Sequence, residues 1–183
     1  MRKTKKEGRE IVPSVDDRKL TVLIETPRNS RNKYKYDAKS NKLHFESTLK
    51  GGLCYPFDFG FVPDTLAEDG DPLDVIVFMD QFCAPGCSVE VRLIGVLEAE
   101  QTEHSQSIRN DRLLAVHANS VFFASFKDWS ELPMNVCEDI SLFFQFSNIT
   151  KGRKFETLAW RGPKEAQRLL IKAQKMFRKK HDS

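Results

Sequence analysis

The chain has 183 residues, 40% of them hydrophobic and 30% charged, with 14 phenylalanines. That is enough apolar material for one domain with a sizeable core, and it excludes an intrinsically disordered chain. The net charge of +3 is unevenly placed: residues 1–10 carry +3 and residues 164–183 carry +5, so the body between them carries −5. The basic ends are read as solvated surface rather than as a nucleic-acid footprint. No apolar run approaches the roughly 20 residues that cross a bilayer, so no membrane partner is expected. No apolar segment follows the basic start MRKTKKEGRE, as it would in a secretory leader. Cys54, Cys83, Cys87 and Cys137 are too few for a disulfide scaffold of this length, and the expected setting is reducing and cytoplasmic.

Residues 1–18 are polar and aperiodic, and read as an N-terminal arm ahead of a single domain over 19–183. Lys19–Glu25 reads as a strand ended by Thr26-Pro27. Lys33–Asp37 and Lys42–Glu46 alternate about Ser40-Asn41, which predicts a hairpin. Leu73–Met79, LDVIVFM, is short, apolar and rich in β-branched residues, as a buried strand is. In Ser88–Glu100, Val89, Val91, Leu93 and Leu97 share one face, and Glu90 and Arg92 are assigned to the other. Leu113–Val116 is a further strand. Helical spacing appears late, at Leu132, Val136, Ile140, Phe143 and Phe144. A second helix opens at Gly162-Pro163 and runs over 163–180, with Ala166, Leu169, Leu170, Ala173, Met176 and Phe177 as its apolar face. Many short strands followed by two helices predict an α+β fold, a β-barrel with helices packed on it.

The chemical signal is the segment DTLAEDGDPLD, residues 64–74. It holds Asp64, Glu68, Asp69, Asp71 and Asp74 and no basic residue. Carboxylates this dense repel one another unless a cation sits among them, and hard divalent cations prefer such oxygen donors. Gly70 permits a tight turn and Pro72 fixes the chain before the strand, which would aim Asp69, Asp71 and Asp74 at a shared point. The segment lacks the spacing and terminal Glu of an EF-hand. Other signals are set aside. Cys83-x3-Cys87 has no second Cys/His pair to make a zinc site. His44, His104, His117 and His181 are scattered. Asp58-Phe59-Gly60 stands without the other kinase motifs, and no P-loop is present.

Asp69-Gly70-Asp71-Pro72-Leu73-Asp74-Val75 resembles the signature of the soluble, magnesium-dependent family I inorganic pyrophosphatases. Ile24–Pro27, Asn32–Asp37, Tyr55–Leu66 and Pro85–Glu100 are similar to further family segments in the same order, so the resemblance spans about residues 19–160. It implies a small closed five-stranded OB-like barrel with two flanking helices, hydrolysis of pyrophosphate to two phosphates with Mg²⁺, and a homo-oligomer, usually a hexamer in bacterial members. It implies that Asp69 and Asp74 ligate Mg²⁺, Asp74 bridging two ions, and that Asp71 orients and deprotonates the attacking water. Lys33 stands at a phosphate-binding lysine, Tyr55 at an active-site tyrosine, Arg112 at a substrate-binding lysine and Glu25 at a supporting acid.

The chain also departs from the family pattern. Ser47 stands at a phosphate-binding arginine, Phe59 at a second tyrosine and Lys35 at a glutamate. Two further metal-binding aspartates fall at Asn110, with Asp111 adjacent, and near Gln101 or Glu103. A Tyr-Lys pair falls at Ser147-Asn148, with Lys151, Arg153 or Lys154 available to restore the charge. Glu103 and Asp111 are therefore candidate metal ligands, and Lys35 a compensating supporting residue. A rival from another class is a non-catalytic metal- or phosphate-binding relative on the same fold, and phosphate release from pyrophosphate separates the two.

Overall fold

The computed structural model describes residues 19–38 and 40–182; the arm expected over 1–18 lies outside the described residues. In chain order the strands are β1 (Lys19–Thr26), β2 (Asn32–Asp37), β3 (Lys42–Thr48), β4 (Asp58–Phe61), β5 (Asp74–Phe78), β6 (Ser88–Glu103), β7 (Gln106–Arg109), β8 (Arg112–His117) and β9 (Lys154–Arg161). Helix α1 (Met134–Ile149) precedes β9 and helix α2 (Pro163–His181) follows it. Strands β1, β4, β5, β8 and β6 pair in that order, and β6 pairs back onto β1, which closes the ring of five. All pairs in the ring are antiparallel except β5–β8. Beyond the ring, the far half of β6 pairs with β7 and β9, and β2–β3 forms a separate hairpin.

Why β5 reads as a continuous apolar run is visible in its packing. Ile76 and Phe78 join a cluster with Phe59, Leu114, Val116 and the α1 residues Ile140, Phe143 and Phe144. Val75 and Val77 join another with Val22, Val91, Leu113 and the α2 residues Ala166, Leu170 and Ala173. Both faces of the strand are covered, so past Asp74 at its open end no position is left for a polar residue. The face of β6 that carries Arg92 is covered as well: Arg92 is 6% exposed, with Nη2 donating to the Ala124 carbonyl at 2.7 Å. Leu97 differs from the sequence expectation, because a register shift between Leu93 and Gly95 places it in the cluster with Ile76 and Phe78 and not with Val89, Val91 and Leu93. Gly60 in β4 is required by a close approach, since a Cβ there would lie 2.0 Å from the Leu23 carbonyl oxygen.

Boundaries differ from the sequence expectation in physically simple ways. Leu132 is buried but ends a short 3-10 turn over Trp129–Glu131, and α1 begins only after Pro133. Three strands, β4, β7 and β9, were not assigned from the sequence. Among the described residues, no helix is long and apolar enough to cross a membrane.

Candidate active site

The acidic segment forms a closed loop between β4 and β5. Its base is clamped by Val62 N donating to the Leu73 carbonyl at 3.0 Å. Buried Thr65 braces the interior, its hydroxyl donating to the Val62 carbonyl at 2.6 Å and accepting from Leu73 N at 2.9 Å. Helix α2 holds the loop from outside, through Leu66 N to the Ala173 carbonyl (3.1 Å) and Lys172 Nζ to Glu68 Oε1 (2.6 Å). Gly70 turns the chain at φ 88°, a left-handed conformation that suits glycine. The Asp69 carboxylate then accepts from Asp71 N at 3.1 Å. The aspartates are therefore held on a braced turn, the local geometry expected from Gly70 and Pro72.

This turn forms one wall of a cleft of about 340 Å³. Asp69, Asp71 and Asp74 line it together with Glu25, Lys33, Lys35, Tyr55, Glu103 and Arg112, so nine of the ten expected site residues meet there. Asp111 does not. It leaves the chain on the opposite side from Asn110, accepts from Ala99 N at 2.9 Å and pairs with Arg109 at 2.8 Å. It faces a separate groove beside α2, and Asn110 occupies the cleft instead. Of the three residues that could restore charge near Ser147-Asn148, Lys151 and Arg153 line the cleft, whereas Lys154 pairs with Glu156 at 2.6 Å outside it. Ser47 faces Lys33 across the hairpin and is not part of the lining, while Phe59 is.

Lys33, Lys35, Arg112 and Arg153 each have an acidic partner. Lys35 Nζ lies 3.0 Å from both carboxylate oxygens of Asp71. Lys33 pairs with Glu46 at 2.8 Å and Arg153 with Glu103 at 2.9 Å. Arg112 lies at the floor, 5% exposed, its guanidinium 4.4 Å from the Phe144 ring centre and 4.9 Å from that of Phe155. One of its nitrogens lies 3.4 Å from Asp74 Oδ2, another bonds the Asn110 side chain at 2.8 Å, and Nε has no hydrogen-bond partner. Tyr55 is buried against Phe59 and Phe143, and burial raises its phenol above the usual range. Glu46 was missed in the sequence; it lies at a register shift of the hairpin, between Phe45 opposite Tyr34 and Ser47 opposite Lys33, which periodicity does not encode.

Burial pushes the Asp74 carboxyl up to about 6; Arg112 opposes this, and Asp69 and Asp71 add to it. Burial likewise raises Asp69; the hydrogen bond from Asp71 N opposes this, and the charge of the Asp71 carboxylate adds to it. The turn thus gathers negative charge that its surroundings do not fully offset, and every donor is a carboxylate oxygen. That donor set fits a hard divalent cation. Among the described residues no three metal-binding side chains already close into a cage; Lys35 takes Asp71 and Arg112 takes Asp74.

Glu25 plays a different part. Its carboxylate accepts from Tyr36 N at 2.6 Å and so ties β2 to β1. Burial pushes it up to about 7, the Tyr36 bond and the charges of Lys33 and Lys35 opposing and Asp74 adding. A carboxyl raised on folding binds its proton more tightly in the native state. Its ionisation therefore costs stability as pH rises from about 4.5 to 7. Glu25→Gln keeps the acceptor oxygen and removes this cost. In EDTA, urea unfolding should show the variant gaining on the parent between pH 5 and pH 8 by on the order of 2 kcal/mol; an equal gap at both pH values would contradict the assignment.

A wall of carboxylates facing ammonium and guanidinium groups suits the binding of a small polyanion carried with hard cations. The sequence profile of the inorganic pyrophosphatase family matches residues 22–178. An inorganic pyrophosphatase of Synechocystis is 37% identical over 142 residues, 78% of this chain and 82% of the relative. One from Methanosarcina mazei is 32% identical over 85% of this chain and 90% of its own length. The solved inorganic pyrophosphatase of Helicobacter pylori superimposes with a TM-score of 0.83 at 30% identity, covering 92% of this chain and 99% of its own. The chain belongs to the inorganic pyrophosphatase family. Its reaction is the hydrolysis of pyrophosphate, and the family carries with it a divalent metal cofactor.

Proposed function

We propose that this chain hydrolyses pyrophosphate to two orthophosphates with Mg²⁺, using Asp71 to accept the proton of the attacking water and Asp69 and Asp74 as metal ligands. The observation that carries this reading is the braced turn, which brings all three aspartates to one cleft wall. Glu103, at the far end of β6, is a further ligand candidate on the same cleft. When bound, Mg²⁺ neutralises phosphate oxygens and lowers the pKa of a water molecule toward neutral. The protein's part is to place the acceptor and the substrate. Asp71 is fixed at its backbone, with Ala67 N donating to its carbonyl at 2.8 Å, so its carboxylate is presented from a set position. Lys33, Lys151 and Arg153 supply positive charge for the phosphate oxygens. Lys151 suits this role because burial, with Lys33 and Arg153 nearby, lowers its pKa, an unfavourable state that an anion relieves. Arg112, buried and committed to Asp74 and Asn110, acts from beneath the substrate rather than as a free phosphate clamp. Phosphate release from pyrophosphate, with and without Mg²⁺, tests the reading. Mg²⁺-dependent release is expected; its absence from folded protein across Mg²⁺, Mn²⁺ and Zn²⁺ would favour the non-catalytic rival.

The same reading includes a homo-oligomer, with the hexamer as the expected state, acting in the cytoplasm. Helix α1 supports it. Its inner face joins the core, while Met134, Leu142, Phe146 and Ile149 remain exposed on its outer side among polar residues such as Glu138 and Asp139. Several large exposed apolar side chains on one helix mark a surface that is covered in the working state, and here a second copy of this chain is the proposed cover. By light scattering the parent should have a mass that is a multiple of 21.1 kDa. Phe146→Glu should shift the population toward the monomer, and a parent that is itself monomeric would refute the proposal.

A further inference from the structure

The cation that holds Asp71 in this structure belongs to the protein. Lys35 Nζ contacts both oxygens of the carboxylate at 3.0 Å, and a divalent cation would seek those same oxygens. The two backbones that carry the pair are fixed. Lys35 sits between two residues pinned to the ring, with Tyr34 N donating to Thr26 Oγ1 at 3.2 Å and Tyr36 N donating to Glu25 Oε1 at 2.6 Å. Asp71 is pinned by Ala67 N, by the Asp69 carboxylate and by the following Pro72. Between two fixed points the flexible element is the lysine stem, and the Lys35 and Asp71 side chains are each about half exposed. The ammonium puts a positive charge against the same two oxygens that a divalent cation would seek, so each weakens the other's contact, and the ammonium on its flexible stem is the one free to leave. Substrate charge does not require Lys35 there, since Lys33, Lys151 and Arg153 reach the cleft from β2 and from the α1–β9 connection.

We propose that Lys35 is a tethered cation that occupies the metal-facing oxygens of Asp71 and must be displaced when a divalent cation loads this aspartate, so that it sets the cation concentration the site requires. The inference rests on the proposed function, in which Asp71 is the proton acceptor beside the metal ligands Asp69 and Asp74, and adds that an arriving divalent cation also reaches the Asp71 carboxylate. It assigns Lys35 as a positioning residue: it acts through Asp71 and leaves that carboxylate when the cation arrives.

The test is a calorimetric titration of the substrate-free protein with Mg²⁺ at fixed ionic strength, with Mn²⁺ binding followed by electron paramagnetic resonance as a second readout. Lys35→Met removes the charge and keeps the length of the stem. It should tighten Mg²⁺ binding about tenfold, the effect of removing one partly screened charge beside a divalent ion. Lys35→Arg, which keeps the charge, should bind like the parent. In an Asp71→Asn background, Lys35→Met should change Mg²⁺ affinity little, because the contested oxygens are gone. Unchanged or weaker binding in Lys35→Met overturns the proposal. Equal tightening in the Asp71→Asn background also overturns it, since the lysine would then act as a general charge and not as an occupant. Loss of Mg²⁺-dependent phosphate release in the parent would instead sink the functional reading, and the titration would still report whether Lys35 and Mg²⁺ compete.

Discussion

Asp71→Asn is expected to lower turnover of saturating pyrophosphate about a thousandfold, while the thermal midpoint moves by only a few degrees. The two halves of the expectation come from different observations. A positioned proton acceptor contributes about 10²–10⁴ in rate, and a thousandfold loss corresponds to about 4 kcal/mol of barrier. The amide keeps the shape of the carboxylate and loses its basicity and most of its affinity for hard cations. The fold has little at stake, because the side-chain bonds of Asp71 go to Lys35, across a pair about half exposed on both sides. Pairs of that kind are worth about 0–1 kcal/mol. Its structural contacts are through the backbone: the carbonyl accepts from Ala67 N and the amide donates to Asp69, and neither depends on the side-chain charge. Phosphate release and a melting curve on the same preparation check both halves. Turnover within tenfold of the parent would move the proton acceptor elsewhere in the cleft. A collapse of the melting curve would mean that the turn needs the carboxylate to hold its shape.

The central turn was legible because its information is local. Gly70 and Pro72 fix the backbone within five residues of one another, and the aspartates ride on it. The same holds for α2, whose proline start and single apolar stripe end in Ala166, Leu170 and Ala173 packed on the ring. Strand β4 was not legible. It is four residues long, DFGF, and its Asp58 is buried where alternation would ask for a hydrophobe. What makes it a strand is pairing with β1 and β5, which sequence periodicity does not encode. Leu97 is misplaced by alternation for a related reason: the register shift between Leu93 and Gly95 exchanges the two faces of β6 beyond it, and pairing, not periodicity, sets that shift. Asp111 shows the limit for site residues. Counting along the chain leaves Asn110 and Asp111 interchangeable, but consecutive residues of an extended segment point to opposite sides. One slip in register exchanges the cleft for the groove beside α2.

Arg112 carries the second large effect. Arg112→Met should lower the stability of the metal-free protein by about 3–5 kcal/mol, the usual cost of removing one partner of a buried ion pair. For a domain of this size that is a fall of roughly 10–15 °C in the midpoint. Methionine occupies much of the same volume between Phe144 and Phe155, so the loss is chiefly electrostatic rather than a cavity. Asp74 would keep its burial and its two carboxylate neighbours and lose the nearer of the two cations that oppose them, leaving only the weaker influence of Lys33. The Asn110 side chain would also lose its bond from the guanidinium. A divalent cation at Asp74 restores the missing charge, so Mg²⁺ should raise the midpoint of Arg112→Met by more than it raises that of the parent. Melting both proteins in EDTA and in saturating Mg²⁺ gives the four values needed. If the variant melts within two degrees of the parent in EDTA, the pair with Asp74 contributes little and the two phenylalanines hold the floor by themselves. If it is destabilised but Mg²⁺ gives no added rescue, then Asp74 does not face the cation, and the metal wall must be drawn from Asp69, Asp71 and Glu103 alone. The expected pattern, a large loss in EDTA largely recovered with Mg²⁺, would place a fixed guanidinium and an exchangeable ion on the same carboxylate. Arg112 would then be the permanent counter-charge that lets Asp74 remain in the cleft between cycles of metal loading.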